Sequence, residues 1–250
     1  MQQPTAKQIL NAATYLGYCM LRSGAEISRV EDTVYRICTA YGIEEAHVFA
    51  LSSTIILTVQ ADGETQTQTR RIRSIETNLD RVDALNALSR RMCMQNLPYD
   101  TVMEEIERIE NRPQYPAWVS VAAYAVISGA FAVFFGGTAA DCAVAFCIGF
   151  FVRLVMLLLT SLHAAPLFIT AAASAATAMG AYASGLLFGG LQTETITIGI
   201  LMNLVPGVAL TNSIRDFIAT DYMSGMSRMA EAFFFAAAIA LGAAVVLLWR

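Results

Sequence analysis

Charge is the first scarcity in this chain. Only 14% of the 250 residues are Asp, Glu, Lys or Arg, against 56% that are hydrophobic. That is too apolar for one soluble domain of this size and indicates a membrane class. Histidine occurs only as His47 and His163, far apart in sequence. The five cysteines, Cys19, Cys38, Cys93, Cys142 and Cys147, form no C-x-x-C pair. No metal signature follows, and no cofactor is expected. Cys19, Cys38 and Cys93 fall at apolar positions of predicted soluble helices, as buried thiols do in a reducing compartment. No cluster of Lys and Arg with interleaved aromatics is present, which argues against a nucleic-acid partner. The start of the chain carries polar Gln2 and Gln3 and lacks the apolar run of a cleavable signal peptide.

The charges that do occur are unevenly placed. Residues 1–116 hold twelve of sixteen Lys and Arg and fifteen of twenty Asp and Glu. The remainder keeps only Asp141, Arg153, Glu194, Arg215, Asp216, Asp221, Arg228, Glu231 and Arg250. This predicts a small α+β cytosolic domain over 1–116, followed by an all-α membrane domain over 117–250.

In the first part, Ile9, Ala13, Leu16 and Met20 recur at helical spacing over 6–22, ending at Ser23-Gly24. A second helix fits 28–41, with Ser28 as N-cap, Glu31 completing a capping box, and Gly42 as the stop. Strand-forming residues fill 47–51 and 54–60. Ala61-Asp62-Gly63-Glu64 reads as a hairpin turn, and Thr65 to Ile72 as a polar return strand at an edge. Helices are predicted over 78–95, with Leu79, Val82, Leu85, Leu88 and Met92 on one side, and over 99–110. Pro113 and Pro116 mark a linker.

From Ala117 five spans are predicted, about 117–135, 139–159, 164–188, 194–218 and 227–249, each near the ~20 residues a bilayer needs. The third is rich in Ala, Ser and Gly and suits the bundle interior or a subunit contact. Arg108, Arg112, Arg153, Arg215 and Arg228 fall on one side by the positive-inside bias, which puts the N-terminal domain in the cytosol and Arg250 on the far side.

Two polar clusters stand out. In 202–231, Asn203, Gly207, Thr211 and Arg215 are four apart and predict one helical face, with Asn212 and Asp216 in a row beside it. Pro206 and Gly207 should break that helix. Polar and ionisable groups at membrane depth are by default a functional-site hypothesis. Arg215 suits a substrate carboxylate, because guanidinium binds carboxylates in a bidentate fork. Glu231 suits a coupled proton, since burial raises a carboxyl pKa; Arg228 is placed to neutralise it. The alternatives are a kinked structural helix and an ion-pair network among Arg215, Asp216, Arg228 and Glu231. The second cluster is the cytosolic turn with Gly24, Glu26, Arg29, Glu31 and Asp32. It reads either as a carboxylate site or as a capped helix start whose early acids favour its positive end.

With these clusters in view the chain resembles the threonine/serine exporter family, through LRSGAEISRVEDTVYRI (Leu21 to Ile37) and LVPGVALTNSIRDFIATDYMSGMSRMAEA (Leu204 to Ala232). The order of a soluble domain and five spans matches as well. The resemblance implies export of small polar metabolites across the cytoplasmic membrane, driven by the proton-motive force and without catalysis. Single-chain members continue into further spans, whereas this sequence stops at Trp249-Arg250. It resembles the N-terminal half of a split, two-component exporter, a form linked to dicarboxylates such as succinate. A small multi-span partner resembling the family's C-terminal half is implied. Membrane lipid and a small-molecule substrate are the other expected partners, and a homo-oligomer is compatible. Two other readings compete: a membrane-anchored hydrolase using Glu26, Glu31 and Asp32, and a ligand-sensing scaffold built on the cytosolic domain.

Overall fold

Capping chemistry sets the first boundary. The Thr5 hydroxyl accepts from Gln8 N while the Gln8 side chain returns to Thr5 N, a capping box that starts helix α1 (Ala6–Arg22). The computed structural model describes residues 4–61, 63–113 and 115–248. Gly24, at φ +87°, takes the left-handed turn after α1 and leads into α2 (Ile27–Ala40). The expected Ser28 cap does not form: Glu26 occupies the N-cap without a side-chain cap bond. Glu31, the other half of the expected box, accepts instead from Ala50 N at 2.8 Å.

Three antiparallel strands follow in the order β1-β2-β3: β1 (Glu45–Leu51), β2 (Thr54–Ala61) and β3 (Glu64–Arg71). Gly63 in the second turn has φ +76°; Asp62 lies outside the described residues. β3 is at an edge and its side chains are polar, as expected. The inward residues Ile55, Leu57 and Val59 of β2 pack with Leu16, Met20, Ile37, Leu85 and Leu88. Each such side chain contributes on the order of 1.5–3 kcal/mol by leaving water. Gly17 lets α1 lie close against β2 and α2: a Cβ there would meet Ile55 Cδ1 at 2.7 Å and Val34 Cγ2 at 2.8 Å.

Helix α3 (Leu79–Gln95), capped by Asn78, and α4 (Tyr99–Glu110) complete this layer. Leu79, expected inside, is exposed. Arg81 takes the inner position, because its guanidinium donates to Glu110 O at the end of α4 at 2.9 Å.

The apolar half forms α5 (Ala117–Phe134), α6 (Ala139–Ser161), α7 (Pro166–Leu187) and α10 (Tyr222–Leu247), four helices long and apolar enough to cross a membrane among the described residues. The stretch expected to be the fourth of five spans is two shorter helices, α8 (Thr193–Leu201) and α9 (Gly207–Ile218). Proline lacks an N–H and disfavours helix in the residue before it, so the chain unwinds over 202–206. The small-residue helix α7 is the most buried of the four long helices, and Ser174 donates to Ile239 O of α10 at 2.6 Å.

The chain divides into two units. One holds the N-terminal residues to Pro113 together with Thr211–Arg228; the other holds the residues to Leu210 and from Met229 onward.

Candidate functional site

In the first unit the two polar motifs of the sequence meet. The turn after α1 presents Ala25 O and the Glu26 carboxylate. Arg215, on α9, donates to Glu26 Oε2 at 3.0 Å, and Arg29 reaches the same oxygen at 3.0 Å. Arg228, in the first turns of α10, donates to Ala25 O at 3.3 Å. Its Nε lies 3.2 Å from Asp216 Oδ2, with the two side chains 7% and 3% exposed. The angle of that approach leaves both atoms without a hydrogen bond, so the pair is held by charge alone. Ser224 Oγ is likewise buried without a hydrogen-bond partner among the described residues. The α9–α10 corner is closed by Ser213 Oγ, which donates to Gly225 O at 2.8 Å, and by Ser224 N on Asp221 Oδ1 at 3.3 Å.

Glu31 is half-buried, and burial raises its carboxyl above the ordinary range; the Ala50 N–H opposes this and the Asp221 charge adds to it. Asp32 pairs with Arg36 at 2.9 Å on the exposed side of α2. Both acids are thus engaged, and Gly24 serves the turn.

The predicted stripe does not survive as one helical face. The break at 202–206 separates Asn203 from α9, so the fourfold spacing no longer counts along a single helix. Thr211 and Arg215 are exposed and Asn212 is half-buried on α9. Pro206 accepts from Leu210 N at 3.1 Å and starts α9. A Cβ on Gly207 would meet nothing within 4 Å, so that glycine is not a point of close packing. Arg228 joins Asp216, and Glu231 lies on the exposed side of α10.

The second unit holds a polar track that the sequence reading passes over. Ser120, Tyr124 and Ser128 are four apart on α5 and share a face. Ser120 Oγ accepts from Arg153 Nε of α6 at 3.0 Å. Ser128 Oγ donates to Tyr124 O at 2.8 Å and accepts from Asn203 Nδ2 at 3.0 Å. Between them the Tyr124 hydroxyl is buried with no hydrogen-bond partner among the described residues. Leaving such a group unpaired costs ~1–3 kcal/mol, which a bound polar group would recover. Gly149 makes the arrangement possible: a Cβ there would meet the Ser128 side chain, with its Cβ at 2.7 Å. The signals were present in the sequence, as hydroxyls at fourfold spacing and one arginine inside an apolar run.

Long apolar helices, a helix broken beside a partly buried polar track, and a three-stranded α+β unit define a multi-pass membrane protein. The model of the ThrE family of threonine/serine exporters matches residues 11–249, and the chain belongs to that family of transporters. It is 27% identical over 94% of its length to a Mycobacterium tuberculosis protein named "Probable threonine/serine exporter", of which it spans 45%. It is 26% identical to the "Probable succinate transporter subunit YjjP" of Klebsiella aerogenes, covering 96% of this chain and 92% of that one. The protein of the same name in Escherichia coli is 23% identical, over 99% of this chain and 96% of that one. No solved structure matches the chain.

Proposed function

We propose that this chain is one subunit of a two-component secondary exporter that moves a small carboxylate-bearing metabolite out across the cytoplasmic membrane, driven by the proton-motive force. The observation that carries the reading is the unpartnered Tyr124 hydroxyl, set among Arg153, Ser120, Ser128 and Asn203 inside an apolar bundle. A guanidinium and several neutral donors inside apolar helices suit a carboxylate with polar substituents. In this reading Arg153 holds the carboxylate, and Arg215, engaged with Glu26, links α9 to the turn after α1.

The stretch 193–210 serves as a broken fourth crossing between α7 and α10, a form that transporters use at binding sites. This keeps the count at five and leaves the N-terminal domain in the cytosol. Asp216 and Arg228 support that domain's hold on α9 and α10. Substrates of the class named for the relatives, threonine or serine on one side and succinate on the other, all carry the carboxylate that Arg153 suits.

The two-component arrangement is supported by length. The chain matches nearly all of two proteins named as transporter subunits and 45% of one named as an exporter. Glu231 is exposed on α10 with Phe233 and Phe234 nearby. A bare carboxylate facing lipid is expensive. A small multi-span partner covering that face removes the cost and leaves Glu231 free to carry the coupled proton.

Counterflow into vesicles containing this chain and its partner tests the reading. Radiolabelled succinate or threonine exchanges in wild type, and Arg153→Gln lowers the rate about tenfold or more, the effect of losing a charged hydrogen bond. No exchange of either class by a correctly assembled complex sinks it.

A further inference from the structure

The soluble unit carries a second built polar site, away from the α9–α10 corner. On α1, Tyr15 and Tyr18 lie stacked at 6.2 Å between centroids. The Arg70 guanidinium of β3 sits over the Tyr15 ring at 4.5 Å. Asn11 holds it there, accepting from Arg70 Nη2 and from Gln68 Nε2, each at 3.0 Å, and donating to Tyr99 Oη at 2.6 Å. Together with Arg22, Arg71 and Glu110 these tyrosines and Arg70 line a groove of about 400 Å³. That falls within the size range of small-molecule sites.

The charges in this lining do not cancel. Glu110 is matched by Arg22 through Oε2 at 3.2 Å, and its Oε1 is buried without a hydrogen-bond partner among the described residues. Arg70 and Arg71 remain, and Arg70 Nε is buried without a hydrogen-bond partner among the described residues. An arginine fixed by an amide and an aromatic face, with a donor left over, is preorganised for a planar oxyanion. The lining is mainly polar, which favours a compact, hydrophilic anion over an aromatic one.

We propose that this groove binds a small carboxylate anion and so senses on the soluble domain the class of compound that the membrane unit exports. The proposal rests on the export reading for its ligand class. Arg70 holds the carboxylate, Asn11 and Tyr15 position it, Arg71 adds positive charge at the rim from the next position of β3, and the Arg22–Glu110 pair completes the lining.

The test uses the full chain in lipid nanodiscs carrying Arg153→Gln, so that the membrane track contributes no carboxylate binding. Calorimetric titration with succinate, threonine and inorganic phosphate is then repeated after Arg70→Gln and, separately, after Arg71→Ala. Arg71 is exposed, so its replacement leaves the fold intact even if Arg70→Gln does not. The expected result is saturable binding of at least one carboxylate, weakened about tenfold or more by Arg70→Gln and several-fold by Arg71→Ala. Binding of no carboxylate, binding indifferent to both variants, or tighter binding of phosphate than of either carboxylate overturns the proposal. Counterflow judges the export reading separately, so either can fail alone.

Discussion

Asp216 and Arg228 are almost wholly withdrawn from water, and neither has a hydrogen bond between them to soften the charge. Removing one partner strands the other, at a cost of about 3–5 kcal/mol, whereas replacing both by apolar groups is often neutral. Asp216→Ala is therefore expected to lower the unfolding temperature sharply in detergent. The pair of changes Asp216→Leu with Arg228→Met recovers most of the loss, and a double variant as unstable as the single one contradicts the account. Glu31 makes a pH-dependent prediction. Its folded carboxyl titrates above the ordinary 4.5 because of burial, so the folded state binds the proton more tightly than the unfolded one. Its contribution favours folding at low pH and is lost as pH rises through 4.5 toward the raised folded value. Glu31→Gln keeps an acceptor for Ala50 N and carries no charge. It is expected to flatten this fall relative to wild type, and melting curves at a series of pH values check it. At this scale the sequence is partly legible. It names Arg215, Asp216, Arg228 and Glu26 as residues that matter, but local spacing does not say that Arg228 turns to Asp216 and not to Glu231, three residues on. Arg153 is legible as a charge in an apolar run, yet reading it as a marker of orientation hides its bond to Ser120.

Helices and strands of the N-terminal unit follow closely from hydrophobic spacing and the Gly63 turn, although the expected Ser28 cap gives way to Glu26. α4 spans Tyr99–Glu110, the bounds expected for it. The misses have local causes: Arg81 displaces Leu79 inward because α4 ends with a carbonyl to satisfy. The broken element is harder, because Pro206 announces an interruption but not its length. Five residues unwind, and this moves Asn203 out of the stripe and onto Ser128. Packing then distinguishes two glycines that look alike in sequence. Gly149→Ala forces a methyl into Ser128 and is expected to cost about 1–3 kcal/mol while weakening transport through the Asn203 contact. Gly207→Ala faces open space and is expected to be neutral or slightly stabilising, by about 0.4–1 kcal/mol. Thermal melts and counterflow on the two variants check both, and equal damage from the two argues against this packing.

For the molecule as a whole, the family is legible because both motifs are long and the soluble-then-apolar order is visible in composition. The proposed partner surface is read less directly, from a charge left on an apolar surface. If Glu231 meets the partner subunit, Glu231→Lys is expected to lower co-purification of that partner several-fold while leaving the melting of this chain alone unchanged. Undiminished recovery of the complex places the contact elsewhere on α10.

Asp141 has a consequence for how the bundle can move. Its carboxylate, fully buried, accepts from Thr138 N and Oγ1 at 2.8 Å and from Gln192 N at 2.9 Å. One side chain thereby staples the connection from α5 to α6 to the connection from α7 to α8. Parting those connections would take the Gln192 donor from a buried charge and leave it only the two from Thr138 on its own side, so the two connections resist separation. Splaying of α5–α6 from α7–α8 is left to their opposite ends.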